Sequence, residues 1–440
     1  MRRLYEPFAY SDEARADCAW GLDADWPGLA ADHVTEVAVI GGGYTGLSAA
    51  LHLAGAGVGV TVLEARAPGW GASGRNGGFC CMGGAMAGDA TLARRFGRDQ
   101  ADLWVTAQRA AIALVADLLN THGIDADRHS DGEAVIAHRP RVMRALKAEA
   151  APLARHGIAS EIIPQAALAE RGLNAQGTFG ALHIKAGFAL DPGKYAAGLA
   201  RAAQTAGAHI FARSPVETIR PQGAGFRLTT PQGIVTARRI ILATNGYSAE
   251  DLPPWLRART LPLQSNILMT CPLTEGERAA QGWTSSLMAY DSRHLLHYFR
   301  LLPDERLLVG MRGGTRAGKA RDAPLRSRTR TAFDAPIHAA RAVAPRPPRV
   351  VPTDLSCPPP SCALLPPGLP GAFTAMAYHG NGVAMASYSG ALVADLVQGR
   401  TPERPFPTVM QAPLGRFPLG RFRRVLLGAG SRVLALADAI

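Results

Sequence analysis

Gly41, Gly43 and Gly46 stand in the spacing G-x-G-x-x-G, and Glu64 follows them at the end of an apolar run. Glycine at the first position permits a tight turn, and at the second it lets bare backbone approach a pyrophosphate. At the third it lets a helix pack closely on the preceding strand. Free N–H groups at the start of such a helix attract a doubly charged diphosphate. A carboxylate at Glu64 can accept both hydroxyls of an adenosine ribose and repels a 2′-phosphate. The chemistry these residues predict is the holding of a dinucleotide, with the 2′-phosphorylated kind disfavoured.

The surrounding residues supply the elements that must position them. Val37, Ala38, Val39 and Ile40 form a continuous apolar run, as a parallel strand covered on both faces requires. Leu47, Ala50, Leu51 and Ala54 recur at helical spacing, and Val58, Val60 and Val62 carry a second strand to Glu64. Further on, the pattern predicts a helix from about Leu103 to His122 and a strand from Ala134 to His138. A helix starting near Asp191 and Pro192 leads into a strand at Ala208 to Arg213. A β-rich stretch then reaches the buried strand Ile240–Leu242, which ends in the small-residue turn Ala243, Thr244, Asn245 and Gly246. Strands are expected from Leu261 to Met269 and from His294 to Met311, and a last helix from Gly382 to Val397 after the turn Gly380-Asn381-Gly382. Met1 to His33 reads as an irregular lead-in whose Trp20 and Trp26 pack on the body.

Composition bounds the function. The 440 residues suffice for two domains. The net charge of +12 suggests a nucleic-acid partner until it is located. Ten basic residues against two acids between Arg312 and Arg349 leave +8, and the chain from Thr401 onward carries +4, so the remainder is neutral. No aromatic residues interleave with the basic run as a base-stacking surface needs, which argues against nucleic acid. The six cysteines make no metal-like spacing. Asp127, His129, Asp131 and Gly132 resemble the opening of a calcium loop, but His138 stands where its bidentate glutamate belongs, so no metal is expected. No apolar run reaches membrane-spanning length and the MRRLYEPFAY start lacks a secretion-signal core, which predicts a cytoplasmic protein.

The string Gly69-Trp70-Gly71-Ala72-Ser73-Gly74-Arg75-Asn76-Gly77-Gly78-Phe79, following Glu64, is far more specific than the glycine triplet. With it the chain resembles the D-amino acid oxidase-like flavoproteins, and most of all the gamma-glutamylputrescine oxidase branch. The resemblance implies an α/β fold: a Rossmann-type FAD-binding domain with a parallel sheet and helices, plus a discontinuous substrate domain built on a mixed, largely antiparallel sheet. It implies FAD held by Gly41, Gly43, Gly46 and Glu64, with Ser73, Arg75, Asn76, Gly77 and Gly78 wrapping phosphate and flavin. Val216 falls where the family's backbone meets adenine, and Ala243, Thr244 and Gly246 form a second turn facing the cofactor. His379, Gly380, Asn381, Gly382 and Val383 match the flavin segment, whose helix start would stabilise negative charge on the reduced ring. The implied reaction is oxidation of a C–N bond in an amine or amino acid derivative by hydride transfer to flavin N5, followed by imine hydrolysis. Electrons would then pass to oxygen or to a quinone-linked carrier, and none of Lys147, Lys185, Lys194 and Lys319 matches an oxygen-activating lysine. An NAD-dependent dehydrogenase would share the first strand–helix–strand unit.

Two further expectations concern the substrate side. Tyr298 and Arg300 alternate on one strand, so facing one way they could hydrogen-bond and ion-pair a substrate carboxylate, with His297 turned oppositely. The expected division is a lead-in at 1–33, an FAD-binding domain at 34–96, 176–260 and 371–400, a substrate domain at 97–175 and 261–370, and a tail at 401–440. Between about Arg316 and Gly368 the family pattern gives way to arginine- and proline-rich sequence, in which a central sheet strand is not expected. Two compensating indels in the coding DNA would leave such an insert, and the product would then be an impaired flavin-binding remnant.

Overall fold

The computed structural model describes residues 1–440 except 17, 84–87, 176, 313–345, 355–360, 363–368, 412–413, 418 and 440. Most of the arginine-rich segment, and with it the question of a shifted frame, lies outside the described residues.

The first strand–helix–strand unit forms as its residues dictate. Strand β1 (His33–Ile40) ends in a wholly buried run, helix α1 (Tyr44–Gly55) starts at Gly43, and β2 (Val60–Leu63) is buried throughout. The two strands pair in parallel with Val37 opposite Val60 and Ile40 opposite Leu63. On its other edge β1 pairs in parallel with Ile234–Leu242, so that Ile40 and Leu242 end side by side. The sheet continues through Ala372–Met376 beyond that strand and through His209–Phe211 beyond β2, and the hairpin Thr218–Gln222 and Gly225–Thr229 pairs onto Ile234–Leu242.

Helices cover this sheet. Asp191 caps the helix Pro192–Thr205 by accepting from the Gly193 and Lys194 amides at 2.7 and 3.0 Å, and proline occupies its first turn. The helix Arg98–Thr121 starts five residues before the expected Leu103, because its buried stripe already includes Ala101 and Trp104 and Gly97, at φ +90°, separates it from the preceding turns. Leu47, Leu53, Leu199 and Leu392 lose all contact with water in the shared core, each contributing about 1.5–3 kcal/mol.

A second sheet holds, in order, Arg346–Asp354, Pro262–Pro272, Arg306–Arg312, His297–Leu301, Met288–Asp291, Glu133–Ile136, Gly180–Ile184 and Ser160–Pro164. It is antiparallel except where Met288–Asp291 meets Glu133–Ile136. The proline-rich residues Arg346–Asp354 do form a strand, but only at the sheet's edge, antiparallel to Pro262–Pro272. Its register slips between Ile267 and Met269, opposite Pro347 and Pro348, so those two missing N–H donors fall where the ladder is already broken, whereas Pro352 stays in register opposite Gln264.

Gly390, in the helix Gly382–Val397, crosses α1 so tightly that a Cβ there would lie 2.4 Å from the Thr45 carbonyl oxygen and 2.9 Å from the Ala49 nitrogen. Both obstacles are backbone and cannot rotate away. Gly390→Ala should therefore destabilise the protein by about 1–3 kcal/mol. Chemical unfolding of the flavin-loaded protein checks this, and an unchanged midpoint would contradict so close a crossing.

Candidate functional site

The two sheets flank a cavity of about 970 Å³ that runs from the Glu64 carboxylate to Tyr298. Its near end is built from turns. Gly41 has φ +110°, and a Cβ there would come within 2.8 Å of the Ala243 carbonyl oxygen, so this turn tolerates only glycine. Gly43 faces the Ser73 hydroxyl, which accepts from the Tyr44 amide at 3.0 Å across the start of α1. Gly46 lies behind the cavity wall, where a Cβ would meet the Gly41 carbonyl and the Val39 side chain; it brings helix and strand together. Glu64 accepts from the Gly42 amide at 2.6 Å and the Arg66 amide at 2.9 Å. Burial pushes its carboxyl up, and these amides oppose the shift.

The glycine string folds back over this end. Asn76 donates to the carbonyls of Ala72 and Ser73 and accepts from the Gly78 amide at 2.7 Å, locking the loop on itself. Ser73, Asn76 and Gly77 line the cavity, as do Val216, Ala243 and Thr244. Arg75, Gly78 and Gly246 do not. The buried Arg75 guanidinium donates to the Ala14 carbonyl and the Tyr247 hydroxyl and lies 4.6 Å over the Trp70 ring, bracing the loop from outside.

His379, Gly380, Asn381, Gly382 and Val383 all line the far part, where the helix Gly382–Val397 begins. The first turn of a helix leaves N–H groups without intrahelical partners, so this end presents partial positive charge. Asn381 donates to the Gly83 carbonyl at 2.7 Å, while its own Oδ1 is buried with no hydrogen-bond partner. A buried amide oxygen in that condition fits a site finished by a bound polar group.

Tyr298 and Arg300 share a strand face, but they do not share a job. Tyr298 lines the cavity, and its hydroxyl lies 2.8 Å from the Ser265 hydroxyl. Arg300 does not reach the cavity, which corrects the expectation that it ion-pairs a substrate. It is wholly buried, donates to the Leu190 carbonyl at 2.8 Å, and meets His129 Nε2 at 3.0 Å. The Asp127 carbonyl can only accept, so His129 Nδ1 carries the proton and Nε2 is left to accept from Arg300. Burial and the Arg300 charge hold His129 down to about 4, keeping it neutral for that role. The position of Gly78 explains the arrangement: a Cβ there would strike both Leu190 and the Arg300 guanidinium. His297 pairs with Asp291 at 2.8 Å.

Trp20 and Trp26 of the lead-in are buried against the body as expected, but sequence reasoning missed the lead-in's part in the site. Arg3 and Tyr10 line the cavity, Arg15 donates to the carbonyls of Trp70 and Gly74, and Trp20 donates to the Asn76 carbonyl. Only the arginines and aromatics scattered through an otherwise irregular segment hinted at it. Asn245, Tyr378, Ser265 and Tyr290 were also missed as lining residues.

Bare backbone at the glycines, two helix starts and an acid just after β2 together fit a flavin dinucleotide. The chain belongs to the family of FAD dependent oxidoreductases, which it matches over residues 36–396, and FAD is the cofactor that family uses. It is 30% identical over 432 residues to the probable oxidoreductase OrdL of Rhizobium meliloti (strain 1021), 94% of each chain. It is 32% identical over 287 residues to the gamma-glutamylputrescine oxidoreductase of Escherichia coli (strain K12), 65% of this chain and 66% of that one. Glycine oxidase from Geobacillus kaustophilus shares the fold, with a TM-score of 0.70 and 21% identity over 88% of this chain and 100% of that chain.

Glu133 sits beside this wall, buried, with Oε2 lacking a partner and its other contacts to Cys81 and the Met82 amide. Burial pushes its carboxyl up to about 8 from 4.5. Between those values the unfolded chain has released a proton that the folded protein keeps, so stability falls as pH rises across the window. Glu133→Gln should flatten that fall. Unfolding midpoints of the two proteins from about pH 5 to about pH 8.5 measure it, and parallel curves would refute the buried proton.

Proposed function

We propose that this protein oxidises the C–N bond of a small amine or amino acid derivative, whose reacting carbon is held between the flavin seat and Tyr298. The observation that carries this reading is the continuity of one cavity from the glycine turns to the second sheet. FAD, when bound, accepts the hydride equivalent removed from the carbon bearing nitrogen. Gly41, Gly43, Ser73 and the start of α1 would hold its pyrophosphate and Glu64 its adenosine ribose, with Val216 beside the adenine. His379 to Val383 would face the ring, where the positive end of their helix stabilises developing negative charge.

The substrate end is built for a neutral amine. Tyr298, Ser265 and Tyr290 offer hydroxyls there, beside Leu296 and Met82, whereas the lining arginines Arg3, Arg66 and Arg213 belong to the nucleotide end. Apolar surroundings disfavour an ammonium and favour the free base, the form that can surrender hydride. A Tyr298 hydroxyl already oriented by Ser265 positions the substrate and needs no proton of its own to move. The hydroxyl-lined pocket thus works by placement. The domain division given above is part of this proposal, supported by the two separate sheets, as is a cytoplasmic location.

Purified protein should be yellow, release FAD and no nicotinamide on denaturation, and bleach anaerobically with one class among polyamines, gamma-glutamylated amines, N-methyl amino acids and amino acids. Admitting oxygen or a quinone then identifies the acceptor by which one restores the colour. Tyr298→Phe should raise KM by roughly 3- to 10-fold with flavin content unchanged. Flavin that none of these substrates bleaches would support an impaired remnant instead.

A further inference from the structure

The C-terminal helix is mounted inside out. Of the eight large apolar residues exposed among the described residues, six fall between Leu419 and Leu436: Leu419, Phe422, Val425, Leu426, Val433 and Leu436. Their exposure runs from 45% at Phe422 to 69% at Val425. From Phe422 they recur at three- and four-residue intervals, with exposed Ala429 in the gap, and so form one stripe on the helix Arg423–Ala439. A surface helix ordinarily turns such a stripe toward the core.

Here polar contacts hold the opposite side instead. Arg423 donates to the Thr260 carbonyl and pairs with Glu250, and Arg424 donates to the Leu4 carbonyl and pairs with Glu6. At the far end Asp438 accepts from the His294 and Leu295 amides, and its carbonyl accepts from Arg139. The helix is thereby fastened at both ends with its apolar stripe outward. Around the stripe stand Arg416, Arg421 and Arg432, all exposed. From Arg404 to Ala437 the sequence contains no acid at all.

We propose that this helix docks the protein on the surface of a bilayer carrying anionic lipids. An apolar stripe lets Val425, Val433 and Leu436 enter the acyl boundary, and flanking arginines meet lipid phosphates, the two terms on which interfacial helices bind. A second copy of the chain suits the face less well, since self-pairing would bring Arg421 and Arg432 together with no acid to offset them. Docking is peripheral: among the described residues no helix is long and apolar enough to cross a membrane.

Co-sedimentation of the full-length, FAD-loaded protein with vesicles tests this, using phosphatidylcholine alone and with about 30% phosphatidylglycerol. The protein should pellet with the anionic vesicles and far less with the neutral ones. Arg421→Gln with Arg432→Gln should weaken that binding by roughly tenfold or more, and Val425→Asp with Val433→Asp should abolish it. The flavin spectrum reports whether each variant is folded, and Val433→Ser with Leu436→Ser serves if the aspartates disturb it. No pelleting of the wild type, or pelleting that the folded variants retain, overturns the proposal. So does a dimer in light scattering that the aspartate variant splits, which would assign the stripe to a second copy.

Discussion

The cofactor end of the molecule depends on one close approach, that of the Gly41 backbone to the Ala243 carbonyl. Because β1 and Ile234–Leu242 run parallel and end in register, their following turns must occupy the same small space. A side chain at Gly41 would push them apart by intruding within 2.8 Å of that carbonyl oxygen. With it absent, both turns line a single cavity and the start of α1 faces into it. The tight crossing at Gly390 repeats the device one layer out, bringing a second helix start to the same cavity. Small residues thus act here by letting backbone dipoles converge.

Charge follows the same geometry. Neutral His129 accepts from the terminal guanidinium nitrogen of the buried Arg300, and that guanidinium supports the Gly78 turn from behind. An arginine read as a ligand for substrate proves to be part of the frame. The lining that remains beside Tyr298 presents the hydroxyls of Ser265 and Tyr290.

How legible all this was depends on how local the causes were. The strand–helix–strand unit, the cap at Asp191 and the helix from Gly382 each follow from neighbours within one turn or one strand, and the sequence announces them. Arg300 deceived because its partners at Leu190 and His129 are far away in the chain, and alternation along a strand says only which face a residue shares. The proline run was read correctly as unfit for a central strand. Its place at the sheet edge, antiparallel to Pro262–Pro272, is set by a partner strand far away in the chain, which no local pattern records. The lead-in was opaque for a related reason: it has almost no regular structure, and its order comes from hydrogen bonds such as those of Arg15 and Trp20 to the glycine string.

That lead-in carries a consequence for biogenesis. Arg3 and Tyr10 leave the ribosome long before His379 to Val383, which lie several hundred residues further along the chain, and all of them wall one cavity. Arg424, later still, grips the backbone at Leu4. The complete wall of the flavin seat therefore exists only once sequence-distant segments have met.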